Sequence, residues 1–175
     1  ISFDPADHRD KLPVIQSDRP RSILFRKEFD IPADIQSARV YVSGLGNYVL
    51  YLNGQKAGND LLTPGWTDYN VRVQYQVYDV TALLKKGSNA AGMMMGNMWW
   101  SSGLGWQGGN SYSDGPMKAI MQLEIELKNG DKQLVITNDD WKAQLSPITE
   151  NTLYHGETYD ARLEIPMWSE PGLNT

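Results

Sequence analysis

The chain has 175 residues, with 16 Lys and Arg against 21 Asp and Glu, so its formal net charge is −5. This balance argues against nucleic acid or an anionic membrane as a partner, and no apolar run approaches the ~18 residues that a membrane span needs. The absence of cysteine excludes disulfides, thiol catalysis and zinc–thiolate sites.

Residues 1–21 show no hydrophobic period and contain Pro5, Pro13 and Pro20, which predicts an extended N-terminal arm or linker. The chain does not begin with Met and carries no signal peptide, so we expect a processed or excised fragment. The sequence therefore does not itself reveal the compartment of the protein.

A block of β-forming sequence follows this arm. The runs Arg39–Val42 and Tyr48–Leu52 are rich in β-branched and aromatic residues and flank a Gly-rich loop. Asn53-Gly54 then follows, a pair that tolerates positive φ and is typical of the tight turn in a β-hairpin. We therefore predict strand, loop, strand and tight turn in this order.

Two later segments, Val71–Tyr78 and Met117–Lys128, alternate apolar and polar residues as half-buried strands do. The short apolar run Ala90–Met95 between them predicts a fully buried strand, and Asn129-Gly130 predicts a second hairpin. We expect the core to contain one face of each alternating strand, namely Val73, Tyr75, Val77, Met121, Leu123 and Ile125.

About eight short strands joined by turn residues predict an all-β antiparallel fold, either a two-sheet sandwich or a barrel, with under about 10% helix. An α/β fold would need long helices between the strands, and the sequence has no such pattern. We place the folded domain at residues 22–167 and a C-terminal linker at residues 168–175.

Motifs for nucleotide binding and for a serine nucleophile are missing, and His8 and His155 are too far apart in sequence to favour a shared metal site. Glu157 and Asp160 are candidates for the pair of carboxylates that cleaves glycosides. The interpretation that we favour makes them structural partners of Arg162 in a tight loop.

Two groups of residues are candidates for ligand binding. Asn59 and Asp60 offer oxygen ligands for Ca²⁺, although an Asx turn is the simpler explanation of this pair. The Gly-rich segment from Gly96 to Gly115 combines aromatic rings with polar side chains, as sugar sites do. Its candidate carbohydrate-binding residues are Asn97, Trp99, Trp106, Asn110, Tyr112 and Asp114. Strand alternation would turn only one ring of Trp99-Trp100 outward, and we predict that Trp100 joins the core.

Five motifs in chain order resemble the N-terminal β-sandwich domain of bacterial α-L-rhamnosidases, and the resemblance extends from Ser22 to Ile165. These motifs are Tyr48–Gly54, Thr63–Tyr69, Tyr75–Thr81, Gly96–Trp100 and Gly156–Arg162. The resemblance implies a jelly-roll sandwich, similar to galactose-binding domains, in front of a helical (α/α)6 catalytic barrel. Many similar domains have Trp-Tyr where this chain has Trp99-Trp100.

The catalytic carboxylates of such enzymes lie in the barrel, so the resemblance implies no catalytic residue here and no activity of this fragment alone. Some similar domains bind rhamnose together with Ca²⁺. We therefore expect a non-catalytic carbohydrate-binding-type domain, with a rhamnose-containing glycan and the downstream catalytic domain as partners. The alternative is a purely structural domain that packs on the barrel. The parent protein is expected in the periplasm or outside the cell.

Overall fold

The computed structural model describes residues 21–104, 109–110, 113 and 115–173. Within these residues helix accounts for 7% and strand for 50%. The described residues form thirteen strands, one α-helical turn and two short 3₁₀ turns, at Thr81–Leu83 and Ala161–Leu163. The strands and the α-helical turn are β1 (Ile23–Ile31), β2 (Ile35–Leu45), β3 (Asn47–Leu52), β4 (Gln55–Lys56), β5 (Gln76–Asp79), β6 (Gly87–Gly96), α1 (Met98–Ser101), β7 (Gly103–Leu104), β8 (Gly109–Asn110), β9 (Lys118–Leu127), β10 (Lys132–Ile136), β11 (Lys142–Leu145), β12 (Ile148–Thr152) and β13 (Gly156–Tyr159). No helix in this part of the chain is long and apolar enough to cross a membrane.

Two antiparallel sheets form the sandwich. The larger sheet has the strand order β11-β1-β6-β3-β4, and the smaller sheet has the order β10-β9-β2-β5. The predicted hairpin turn between β3 and β4 is present, and Asn53 and Gly54 adopt the positive φ values that it requires, 51° and 80°. The prediction of an all-β antiparallel sandwich is confirmed.

The core lies between the two sheets and is filled from their facing sides. The predicted buried run Ala90–Met95 forms the middle of β6, where Met93 and Met95 are fully buried and Met94 is half-buried. The Met95 side chain reaches the opposite sheet beside Gly44. Methionine adapts to irregular gaps because it is unbranched and flexible. Strand β9 buries the face that the alternation predicted, which comprises Met121, Leu123 and Ile125.

The prediction that the apolar face of Val71–Tyr78 lies in the core is wrong. The regular strand of this segment spans only Gln76–Asp79, and the apolar face that we expected in the core is exposed. This exposed face comprises Val73, Tyr75 and Val77.

The pairing register of β5 explains this reversal. Gln76 lies opposite the buried Val42 of β2, and residues opposite each other in an antiparallel pair point to the same face. Gln76 is therefore the inward residue, and protein groups satisfy its amide. Its Oε1 accepts a hydrogen bond from the Tyr48 hydroxyl at 2.5 Å, and its Nε2 donates to the Pro64 carbonyl at 3.2 Å. A shift of one residue would exchange the two faces of the strand.

The C-terminal segment, residues 165–173, packs across the outer face of the larger sheet. The Trp168 ring lies over Gly92, where an added Cβ would come within 2.6 Å of the ring. Arg26 on β1 is only 9% exposed. Its guanidinium donates to the carbonyl oxygens of Trp168 at 2.9 Å and Glu170 at 2.8 Å. Most of the stretch predicted as a linker is thus in contact with the sandwich.

Candidate functional site

Two loops meet at the end of the sandwich where β3 begins and β6 ends: the 58–75 loop and a second loop, residues 97–117, which follows β6 and is described except at 105–108, 111–112 and 114. The 58–75 loop connects β4 to β5 and is bonded to the first residues of β3. The Tyr48 amide donates to the Thr63 carbonyl at 2.9 Å, and the Thr63 hydroxyl donates to the Tyr48 carbonyl at 2.9 Å. Thr63 is buried and precedes a cis peptide bond to Pro64. This pair of hydrogen bonds fixes the middle of the loop to a core strand.

An aromatic pair joins the two loops. The ring of Trp66 stacks on the ring of Trp99, with centroids 5.8 Å apart and planes inclined by 5°. This is the offset-stacked arrangement that aromatic quadrupoles favour. Trp66 is 57% exposed, whereas Trp99 is half-buried. One face of the Trp66 side chain therefore packs on Trp99, and the other face is exposed to solvent.

Trp100 points away from this pair. Its ring packs against the core, as we predicted, and meets the edge of Tyr69 at 5.7 Å and 78°. Its Nε1 donates to the Pro116 carbonyl at 3.2 Å. Strand alternation is not the cause of this divergence, because Met98–Ser101 forms a helical turn and not a strand. Successive residues of a helix diverge by about 100°, which separates the two neighbouring Trp rings.

The amide of Asn97 is engaged with protein groups. Asn97 is buried, and its Oδ1 accepts from the Ser101 hydroxyl at 2.7 Å. Its backbone N–H donates to Asn151 Oδ1 on β12 at 2.6 Å, and its Nδ2 also faces that oxygen at 3.3 Å. In this structure Asn97 therefore ties the second loop to β12.

Asn59 and Asp60 are exposed in the turn that opens the 58–75 loop. Asp60 Oδ2 accepts a hydrogen bond from the Tyr78 hydroxyl at 2.9 Å, and the Asp60 carbonyl accepts from Lys56 Nζ at 3.2 Å. The described part of the chain has no group of three or more His, Cys, Asp or Glu side chains that could hold a metal ion. The Ca²⁺ site on Asn59 and Asp60 stays a prediction.

The remaining sugar-binding candidates of the sequence are not described at the level of their side chains. Trp106, Tyr112 and Asp114 lie outside the described residues. The backbone of Asn110 belongs to β8 and pairs with Gly103 of β7. The structure therefore tests none of these four residues.

Glu157, Asp160 and Arg162 lie on and after the β12–β13 hairpin. Asp160 accepts two hydrogen bonds from the Arg162 guanidinium, at 2.8 and 2.6 Å, and one from its backbone N–H at 3.0 Å. Glu157 is exposed on β13 opposite Asn151. Arg162 is thus paired with Asp160, and the pair is on the surface rather than in an interlocked, buried loop.

Replacing Arg162 by alanine should leave the melting temperature within about 2 °C of wild type at neutral pH, because exposed ion pairs contribute little. The side chain and N–H of Arg162 hold the pKa of Asp160 at about 2, below its ordinary value of 3.8. A carboxyl with a lowered pKa stabilises the fold above that ordinary value and loses its effect as the pH falls towards 2. Any difference between the two proteins in thermal scans should therefore disappear in strong acid. A loss of more than about 5 °C at neutral pH would show that the pair supports packing.

Sequence reasoning did not include Trp66, Tyr69 and Tyr78 in the candidate site. Each of them lies in a motif that supported the resemblance, but their contacts with Trp99, Trp100 and Asp60 join residues far apart in sequence. The motifs were the signal that could have pointed to these residues, but only the folded structure shows which residues they contact.

The fold and its loops define an antiparallel β-sandwich domain with an aromatic pair at one end. The family model described as the alpha-L-rhamnosidase N-terminal domain matches residues 33–175. The chain belongs to this family.

An alpha-L-rhamnosidase from Streptomyces avermitilis is 41% identical over 150 residues, which cover 85% of this chain and 14% of that protein. A crystal structure of the Aspergillus terreus alpha-L-rhamnosidase superposes with a TM-score of 0.88 at 36% identity, over 98% of this chain and 21% of that one. The crystal structure of a Streptomyces avermitilis alpha-L-rhamnosidase complexed with L-rhamnose gives 0.85 at 39% identity, over 88% and 15%. The chain thus spans about a seventh of the length of the first of these relatives.

Proposed function

We propose that this chain is a non-catalytic, carbohydrate-binding accessory domain of an α-L-rhamnosidase, and that its ligand is a rhamnose-containing glycan. The observation that carries the proposal is the exposed ring of Trp66 stacked on Trp99. Hydrolysis of rhamnosides belongs, in this proposal, to the longer protein and not to this domain.

The physical argument concerns the cost of exposing a large aromatic ring. Burial of such a ring is favourable, so a Trp that is more than half exposed forgoes part of this stabilisation in the free protein. The C–H face of a sugar can cover the ring and recover this stabilisation. The stack on Trp99 and the hydrogen bonds between Thr63 and Tyr48 already hold Trp66 in place. Little conformational freedom is therefore lost when a ligand binds.

Polar groups near a platform must satisfy the sugar hydroxyls. In this proposal Asn59 and Asp60 supply oxygens on the same loop as Trp66, either directly or through Ca²⁺. The predicted residues Trp106, Asn110, Tyr112 and Asp114 complete the site from the other loop. The Streptomyces avermitilis enzyme forms a crystalline complex with L-rhamnose, which supports L-rhamnose as the first ligand to test.

A second function, packing against another part of a longer chain, is favoured by a different observation. The apolar face of the segment before and within β5 is open to solvent, and it comprises Val71, Val73, Tyr75 and Val77. An alternating apolar face usually lies against another surface. In this alternative the domain is structural and binds no sugar.

Replacing Trp66 by alanine should weaken L-rhamnose binding by at least about tenfold while the melting temperature stays nearly unchanged, since an exposed ring adds more to binding than to folding. Chemical-shift titration with L-rhamnose and CaCl₂ suits the expected wild-type dissociation constant of roughly 10⁻⁴ to 10⁻³ M. Tyr75→Ala is a matched control, because Tyr75 is also 57% exposed but lies on the outer face of the smaller sheet. It should bind as wild type does.

The two functions predict different titrations. Saturable shifts that are lost in Trp66→Ala and kept in Tyr75→Ala support the sugar site. Wild-type protein that gives no shifts at tens of millimolar L-rhamnose, with or without Ca²⁺, would favour the structural domain.

A further inference from the structure

The turn Gly58–Asn59–Asp60 is attached to Tyr78 in two ways. Gly58 adopts a φ of +74°, and a Cβ at this position would lie 2.3 Å from the Tyr78 ring, so the backbone of the turn packs directly on the ring. The Tyr78 hydroxyl donates to Asp60 Oδ2 at 2.9 Å. The ring and the hydroxyl of one side chain thus hold both ends of the turn.

Tyr78 is itself held by the sandwich. It lies opposite the fully buried Val40 of β2, and its ring packs against the hydrophobic core. Burial and the hydrogen bond to Asp60 raise the pKa of Tyr78 to about 12. The hydroxyl therefore stays protonated and remains a donor at ordinary pH.

This hydrogen bond orients the Asp60 carboxylate and leaves one of its oxygens available to a ligand. It engages Oδ2, and a carboxylate has several acceptor positions, so Oδ1 keeps its full capacity for a hydroxyl or a cation. An exposed Asp without such a contact would sample several rotamers, and a ligand would have to order it at the expense of affinity.

We propose that Tyr78 is a positioning residue of the ligand site, which orients the Asp60 carboxylate towards a sugar hydroxyl or a Ca²⁺ ion. This inference rests on the proposed sugar-binding function. It assigns an effect on ligand affinity to Tyr78, a half-buried residue of β5 that acts through Asp60. Tyr78→Phe separates the two contacts of the residue, because it keeps the ring on Gly58 and removes only the hydroxyl.

The experiment compares L-rhamnose titrations, with CaCl₂ present, of wild type, Tyr78→Phe, Asp60→Ala and the double variant. Tyr78→Phe should weaken binding by about five- to tenfold, the effect of having to order a carboxylate that the Tyr78 hydroxyl no longer holds. In the Asp60→Ala background Tyr78→Phe should have no further effect, because the carboxylate that the hydroxyl orients is absent. Tyr41→Phe, which removes a hydroxyl from the half-buried Tyr41 of the smaller sheet, is the matched control and should bind normally.

Each other outcome overturns the inference in a distinguishable way. Wild-type binding that Tyr78→Phe leaves unchanged would refute the role of Tyr78 and keep the sugar site. An equal loss in the presence and absence of the Asp60 carboxylate, with a lowered melting temperature, would make Tyr78 purely structural. Absence of wild-type binding would remove the proposed function together with the inference.

Discussion

Replacing Arg26 by methionine is expected to lower the free energy of unfolding by about 3 kcal/mol, because it leaves buried polar groups without partners. The guanidinium bonds the carbonyl groups of Trp168 and Glu170 and forms an ion pair with Glu28 at 2.6 Å. Methionine keeps the apolar stem and removes every one of these donors. Urea unfolding measures the loss, and hydrogen exchange should locate it in residues 168–173.

Arg162→Met is the matched control for this change, because it removes an exposed guanidinium from the same chain. It should unfold at the urea concentration of wild type. An Arg26→Met protein with unchanged stability and unchanged exchange in residues 168–173 would mean that the Trp168 ring and the backbone hydrogen bonds of Ser169 and Gly172 hold the C-terminal segment without Arg26.

Replacing Leu123 by alanine should cost about 3 kcal/mol, within the range of about 2–5 kcal/mol for leucine in a well-packed core. Leu123 is 0% exposed at the centre of β9, where both neighbouring strands limit how far the structure can relax into the cavity. Val77→Ala is the comparison in β5. Val77 is 47% exposed, so its truncation should change stability by less than about 0.5 kcal/mol.

Both variants are measured by urea unfolding of the same protein, and the m-value should stay constant in each. A loss at Val77 comparable with that at Leu123 would place the β5 side chain in a buried environment and would contradict the register of β5 against β2.

These two residues also mark how far the sequence predicts the fold. The segments containing Leu123 and Val77 have the same alternation, and alternation specifies only that two faces differ. In β9 the apolar face is the inner one. In β5 the pairing of Gln76 opposite Val42 decides the direction, and this choice depends on contacts with Tyr48 and on a loop carbonyl that no local pattern encodes.

Local chemistry predicted the turns more reliably. The Asn53-Gly54 and Asn129-Gly130 pairs both form hairpin connections, because a residue with positive φ is needed there whatever the surroundings. The candidate site depended on tertiary contacts instead. Asn97 had the polarity of a sugar ligand, but its burial beside β12 became visible only in the fold. Trp66 lies in one of the motifs, but its place in the candidate site became visible only with its stacking partner.

The reciprocal hydrogen bonds between Thr63 and Tyr48 also limit how often the 58–75 loop leaves its folded conformation. If the middle of the loop were to lift away, a backbone N–H and a carbonyl of a buried strand would be left unpaired in the interior. Opening of the loop is therefore as rare as fraying at the start of β3, although most of the loop is solvated. The persistence of the Trp66–Trp99 stack therefore depends on the interior of the sandwich, and the exposed face of Trp66 is in place once the domain has folded.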